Sequence, residues 1–356
     1  MCDTAPQPMR SMTTISNLAI LGAALFAVNL AFAQDGTLLV VNRHSGAGSV
    51  SLFDLQTETE VARLPIGAGW PHEVAVSPDG RLALTAEYGE VDPGRYVVVM
   101  DIPNARVLGR IDMGPGMKPH DSVFLPDNRH AVVTLETIDE VAIVDVETLS
   151  VVRTYPIGDA AREGHMIWLS PDASRVYVGG RLGEGTVSVI YLNEDRDPTV
   201  IQTGIGAEAI TVTPGGDVWV INQDDYTISI IDPESLAILE TFEAATQPRR
   251  LANLPDGRMA VVYGNSTEVG IRIYDTESLE VLADLDIPGE DVGAGGFGFF
   301  AIGNTGYVST RQDGRILVYD FANPEEAPST LVSGHVTPDG MAWTPLRLDV
   351  FDAGQE

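Results

Sequence analysis

Residues 69–80 read GWPHEVAVSPDG: a Trp-Pro-His-Glu run, a short alternating stretch and a Ser-Pro-Asp-Gly turn. The turn carries Pro at its second position and Gly at its fourth, as a type I turn prefers. It returns as LPDN at Leu125, SPDA at Ser170, TPGG at Thr213 and LPDG at Leu254, then in weaker form as IGNT at Ile302 and TPLR at Thr344. A second row, independent of the first, consists of the alternating segments VSLFD, VVVMD, VAIVD, VSVIY, ISIID, IRIYD and ILVYD. These close at Asp54, Asp101, Asp145, Tyr191, Asp232, Asp275 and Asp320. Both rows have seven members, and both repeat every 41 to 48 residues. Two unrelated patterns with one period identify a repeat architecture.

Each repeat accommodates four short antiparallel strands: an inner one such as EVAVS, a second such as RLALTA, a third such as YVVVMD and an outer one such as VLGRID. One such unit cannot cover its own apolar faces, so it must stack on copies of itself, and four strands per repeat of this length describe a propeller blade. The expected fold is all-β, a seven-bladed β-propeller of four-stranded antiparallel blades. The chain enters on a second strand, TLLVVN, and leaves on an inner strand, MAWTP. The last blade should therefore be closed by both chain ends, leaving no radial edge unpaired.

The apolar run NLAILGAALFAVNLAFAQ, preceded by Arg10 and ending in Ala31-Phe32-Ala33, has the pattern that a signal peptidase reads. It predicts a signal peptide over residues 1–33, one propeller domain over residues 34–356, and a periplasmic or secreted protein with no stable membrane insertion after cleavage. Cys2, the only cysteine, leaves with the signal, so the remaining domain folds on packing alone. Asp and Glu number 51 against 21 Lys and Arg, a formal charge of −30, and the only lysine is Lys118. Such a chain repels nucleic acid and anionic lipid.

The segments RLALTAEYG, SRVYVGGRLGEGTVSVI and DVWVINQDDYTISIID resemble the YVTN-type seven-bladed propellers, standing where that family has its Tyr-Val-Thr-Asn strand and the next one. The resemblance covers essentially all of the chain after the signal. It implies a blade and not a reaction, because the family includes binding proteins, cofactor-handling proteins and enzymes.

Strand direction puts two loops of each blade on one face: the loop before the inner strand and the loop after the second. The first contributes the residue six before each turn proline, which gives His72, His120, His165, Glu208, Arg249, Phe297 where the repeat is degenerate, and Asp339. The second contributes Arg43, Tyr88, Glu136, Arg181, Gln223, Asn265 and Arg311, with His44 and Glu87 beside them. Blades 1 to 3 thus each place a histidine at the mouth of the central channel, whereas His130 falls on a second strand and reads as surface.

One reading is a small-ligand or metal site, with His72, His120 and His165 as nitrogen ligands and Glu87, Glu136 or Glu208 as oxygen ligands. Arg43, His44, Arg181, Glu208, Arg249 and Arg311 are the ligand-binding candidates around it. Mixed imidazole and carboxylate donors suit zinc, copper, iron or manganese better than calcium. Packed sheets lie about 10 Å apart and converge toward the axis, a spacing that strains one ion shared by His72 and His165.

A second reading is enzymatic. Single blades resemble the lactonase and muconate-cycloisomerising propellers, which implies catalytic roles for His120 in KPHDSVFLPDN and Arg249 in QPRRLANLPDG, with a carboxylate supplied only by a shifted role for Glu136 or Glu208. Arg250 stands where that family has a loop histidine, and Asn265 where it has a Glu, so the general acid or base is missing from its expected place. A third reading is a protein partner bound on the same face. The sequence offers no cysteine for covalent catalysis, no phosphate loop and no serine nucleophile elbow.

Overall fold

The computed structural model describes Met1 and residues 35–44, 46–67, 70–89, 92–265, 268–288, 298–310, 314–332 and 337–348. The signal-peptide expectation and the candidates Phe297 and Arg311 lie outside the described residues. Those described form strands and turns without helices, in seven four-stranded antiparallel sheets. Blade 1 spans residues 71–112, blade 2 residues 119–156, blade 3 residues 164–202, blade 4 residues 207–243, blade 5 residues 248–286 and blade 6 residues 299–332. Blade 7 joins the strand Pro338–Thr344, as its inner strand, to Thr37–Asn42, Gly48–Asp54 and Thr59–Gly67. Thr37 pairs with Thr344 and Leu39 with Ala342, so both ends close the ring, as expected from the sequence.

The alternation in each strand serves two interfaces at once. In Thr37–Asn42, Leu39 and Val41 pack with Val74, Ala83 and Val98 of blade 1, while Leu38 and Val40 pack with Tyr307, Ile316 and Leu331 of blade 6. Each of the seven apolar clusters lies between one pair of neighbouring blades. Fully burying one such Leu or Val is worth about 1.5–3 kcal/mol, and no blade can bury both of its faces without both neighbours.

The two sequence rows are hairpin devices. Asp54 accepts from the backbone N–H groups of Gln56 and Thr57 at 2.9 and 3.0 Å, and Asp275 from Glu277 and Ser278 at 3.1 and 2.7 Å. The carboxylate at the end of the third strand thereby folds the turn into the outer strand. At the inner hairpin, Ser77 Oγ donates to Asp79 at 2.6 Å and accepts from Leu82 N–H at 2.9 Å.

Candidate functional site

The inner strands begin irregularly. Pairing with the second strand slips between Pro71 and Val74, between Pro119 and Ser122, between Gly164 and Ile167, between Ala207 and Ala209, between Pro248 and Arg250, and between Pro338 and Met341. Each slip is a β-bulge, the device that bends a strand and re-aims its side chains. Just before the bulges, Lys118, Glu163, Gly206, Gln247 and Thr337 take left-handed backbone angles, with φ of 51°, 54°, 77°, 46° and 71°. That conformation is uncommon for residues other than glycine and recurs where function holds it. Together the kink and the bulge turn the start of the inner strand toward the axis, with two consecutive residues presented in blades 1 and 2, His72–Glu73 and His120–Asp121.

The first inward row carries the three histidines. The ring centroids of His72 and His120 lie 4.7 Å apart, edge to face, and those of His120 and His165 lie 3.8 Å apart, stacked. Tyr88 closes the group at 5.2 Å from His72 and 5.1 Å from His120, with Lys118 Nζ 4.5 Å over its ring. The convergence of neighbouring blades is thus strong enough for van der Waals contact along the row, closer than sheet spacing alone suggests.

Each Nδ1 faces an oxygen. His72 Nδ1 lies 2.8 Å from Asp339 Oδ2, His120 Nδ1 lies 3.3 Å from the His165 carbonyl, and His165 Nδ1 lies 2.6 Å from Glu136 Oε1. This pairing leaves His120 Nε2 buried with no hydrogen bond to the described residues, whereas His165 Nε2 lies 3.4 Å from Glu208 Oε1. His120 is wholly buried, and desolvation, reinforced by His165, His72, Arg250 and Arg181, holds its pKa well below the ordinary value. His165 behaves oppositely: against the same desolvation, Glu208 and Glu136 raise it to about 9. One imidazole is held neutral beside one held protonated.

Charged side chains surround the row. Lys118 Nζ lies 2.6 Å from Glu136, and Arg181 lies 2.8 Å from Glu163 and 3.7 Å from Glu208. Arg43 lies 2.7 Å from Asp339 and stacks 4.6 Å over Trp70. Burial opposes ionisation of Glu136 and Glu208, yet His165 and its cationic neighbours leave both pKa values lowered.

The second inward row comprises Glu73, Asp121 and Arg250. Arg250 reaches across the channel to Glu73 at 3.0 Å and to Glu208 at 3.2 Å. Gly340 makes room for this crossing, because a Cβ there would meet Glu73 Oε2 and the His72 carbonyl, each at 2.5 Å.

Of the sequence candidates, His72, His120, His165, Glu136, Glu208, Arg43 and Arg181 come together. Glu87 is engaged instead by Arg110 at 3.2 Å; the carboxylates grouped with two imidazoles are Glu73 and Glu136, while Asp339 and Glu208 each lie against one, His72 and His165. His44 is exposed beside a cleft with Asn42 and Ser49. Arg249 bonds the Gly264 carbonyl and Gln247 in its own blade, and the bulge gives the axial position to Arg250. His130 pairs with Asp127 at the surface, as read from the sequence. Glu73, Asp121, Lys118, Glu163 and Arg250 were not among the sequence candidates. Their signal is adjacency to the histidine register, one residue after it or two before.

No protein-family model matches the chain. It is 25% identical over 305 residues to protein NirF of Stutzerimonas stutzeri, an overlap of 82% of this chain and 66% of that protein. The chain thus spans just under two thirds of the length of that relative. Among solved structures, it resembles a functionally unknown protein from Desulfotomaculum acetoxidans at TM-score 0.69 and 16% identity, over 87% of this chain and 99% of that one. It also resembles hydrazine synthase of Kuenenia stuttgartiensis at TM-score 0.61 and 19% identity, over 71% of this chain and 77% of that one. These structural likenesses establish the propeller fold.

Proposed function

We propose that this chain is an exported propeller of the YVTN type that binds a divalent transition ion, or a small ligand presenting one, at the channel mouth. His120 carries the reading. It belongs to both donor groups of the mouth, His72–Glu73–His120 and His120–Glu136–His165, and its Nε2 is buried without a hydrogen-bond partner among the described residues.

Metal-ligating histidines ordinarily give Nδ1–H to a carboxylate or a carbonyl and coordinate through Nε2, in the neutral form. His120 has that arrangement toward the His165 carbonyl and is held neutral by its surroundings. The planes of His120 and His165 lie within 24° of parallel. An ion lies in the plane of each imidazole it takes, so the group with His72, whose ring stands at 89° to His120, is the better convergent pair. Imidazole with carboxylate favours zinc, copper, iron or manganese. Export rests on the apolar leader over residues 1–33; among the described residues no helix is long and apolar enough to cross a membrane.

Calorimetric titration with zinc, copper and manganese tests the proposal on the wild type, His120→Ala and His130→Ala. One ion per chain on the wild type and on His130→Ala, with affinity lowered at least about tenfold in His120→Ala, is the expected result. Equal affinity in all three proteins, or none in any, returns the histidines to a structural role.

A further inference from the structure

Beyond the second inward row the channel changes character. Toward the opposite face it widens into a cavity of about 470 Å³, within the range of small-molecule sites. Phe124, Trp168, Phe299, Phe300, Met341 and Trp343 supply its aromatic and thioether wall. Trp168 is 45% exposed, a large apolar side chain left uncovered by its own fold. The polar end is formed by Glu73, Asp121 and Arg250, and the Glu73–Arg250–Glu208 crossing separates this cavity from the imidazoles.

Donor and acceptor capacity at that end is unequal. Three of the five N–H donors of the Arg250 guanidinium go to Glu208, Glu73 and the Arg249 carbonyl, so its one charge is already shared by two carboxylates. Asp121 accepts from Ser122 N–H at 2.8 Å and Ile167 N–H at 3.1 Å, one bond on each oxygen. A carboxylate has about four acceptor positions, so lone pairs on Asp121 stay open toward the cavity. This end thus holds two carboxylates, Glu73 and Asp121, against one guanidinium that Glu208 also shares.

We propose that this cavity is a second binding site, separate from the mouth, for an apolar or aromatic small molecule carrying one cationic donor group. The body lies among Trp168, Phe300 and Trp343, and the head reaches Asp121. A chain with a formal charge of −30 favours a cation at long range, and aromatic walls accept a cationic head in passage. An anionic molecule of the same shape would meet two carboxylates and a guanidinium whose charge Glu73 and Glu208 already share.

Three probes with one body and different heads test this on the wild-type protein: 4-(aminomethyl)biphenyl, 4-methylbiphenyl and biphenyl-4-carboxylate. The amine should bind saturably, one per chain, quenching tryptophan fluorescence, with the hydrocarbon weaker by about tenfold and the carboxylate weaker still. Asp121→Asn should remove the amine's advantage over the hydrocarbon. Ala252→Trp, which fills the cavity, should abolish binding of both, and saturating zinc should leave binding to the wild type unchanged, separating this site from the metal reading. Carboxylate binding as tight as the amine, amine binding that survives Ala252→Trp in a protein that still melts cooperatively, or no saturable binding of any probe would overturn the proposal.

Discussion

The two ends of an inner strand are built on opposite rules. In blade 3 the strand Gly164–Leu169 runs from His165 to the turn at Ser170. Ser170 Oγ donates to Asp172 at 2.6 Å and accepts from Arg175 N–H at 3.0 Å, bonds that Ser77 repeats with Asp79 and Leu82 in blade 1. At the other end only the backbone device is copied, the bulge preceded in most blades by a left-handed residue. The side chains it presents diverge into His72, His120, His165, Glu208, Arg250 and Asp339. A turn serves its own blade and can be the same everywhere. Residues aimed at a common axis share one small volume, where identical charges would repel one another.

The largest test removes the shared support of both ends. Deleting residues 338–356 takes away the inner strand of blade 7, uncovers Leu38 and Leu39, and deletes Asp339 from His72 and Arg43. Loss of cooperative melting and of zinc binding together is the expected outcome. A truncated protein with an ordinary melting transition would mean that the other six blades close without that strand.

An intermediate effect should come from His165 alone. Its folded pKa of about 9 lies above the unfolded value of about 6.5. Its contribution is therefore fully present below pH 6.5 and is lost as the pH rises through 9, on the order of 3 kcal/mol in all. Glu136 and Glu208, with lowered pKa values, contribute above the ordinary glutamate range and lose that contribution as the pH falls. Between about pH 4.5 and 6.5, Asp121, raised to about 7, loses stability with rising pH while His120, lowered, gains it, so the two oppose each other. Melting temperature should thus be nearly flat over that interval and decline above it. His165→Gln should make the alkaline decline shallower; a decline unchanged in the variant would mean that His165 is not held between the two carboxylates.

The same contrast explains what could be read from the chain. Seven turns and seven strand-terminal residues are local patterns, and most copies keep the same hairpin, so the blade count and the closing of blade 7 were legible. His72, His120, His165 and Asp339 were legible as one register because the turn prolines supplied a ruler. Strict alternation sends every second residue inward, whereas a bulge sends two neighbours, which hid Glu73 and Asp121 and gave Arg249 the place that Arg250 occupies. Lys118 and Glu163 were hidden by a backbone angle that no residue type announces, since only Gly206 among those positions is a glycine. Glu87 sits at the correct height in its blade, but Arg110 holds it, a long-range pairing that spacing does not encode.

The smallest effect should come from the opposite end of the strand that bears His165. Ser170→Ala removes the hydroxyl that bonds Asp172 and Arg175 and leaves every residue of the mouth in place. With one or two hydrogen bonds of about 1 kcal/mol lost, the melting temperature should fall by about 2–4 °C. The fall should be the same at pH 6 and pH 8.5, because the one titrating group the change touches, Asp172, is lowered by the Ser170 hydroxyl and stays ionised at both values. Zinc titration should match the wild type. A changed pH profile or a changed zinc affinity in Ser170→Ala would show that turn and mouth are coupled along the strand, and the division between a copied scaffold end and a divergent site end would not hold.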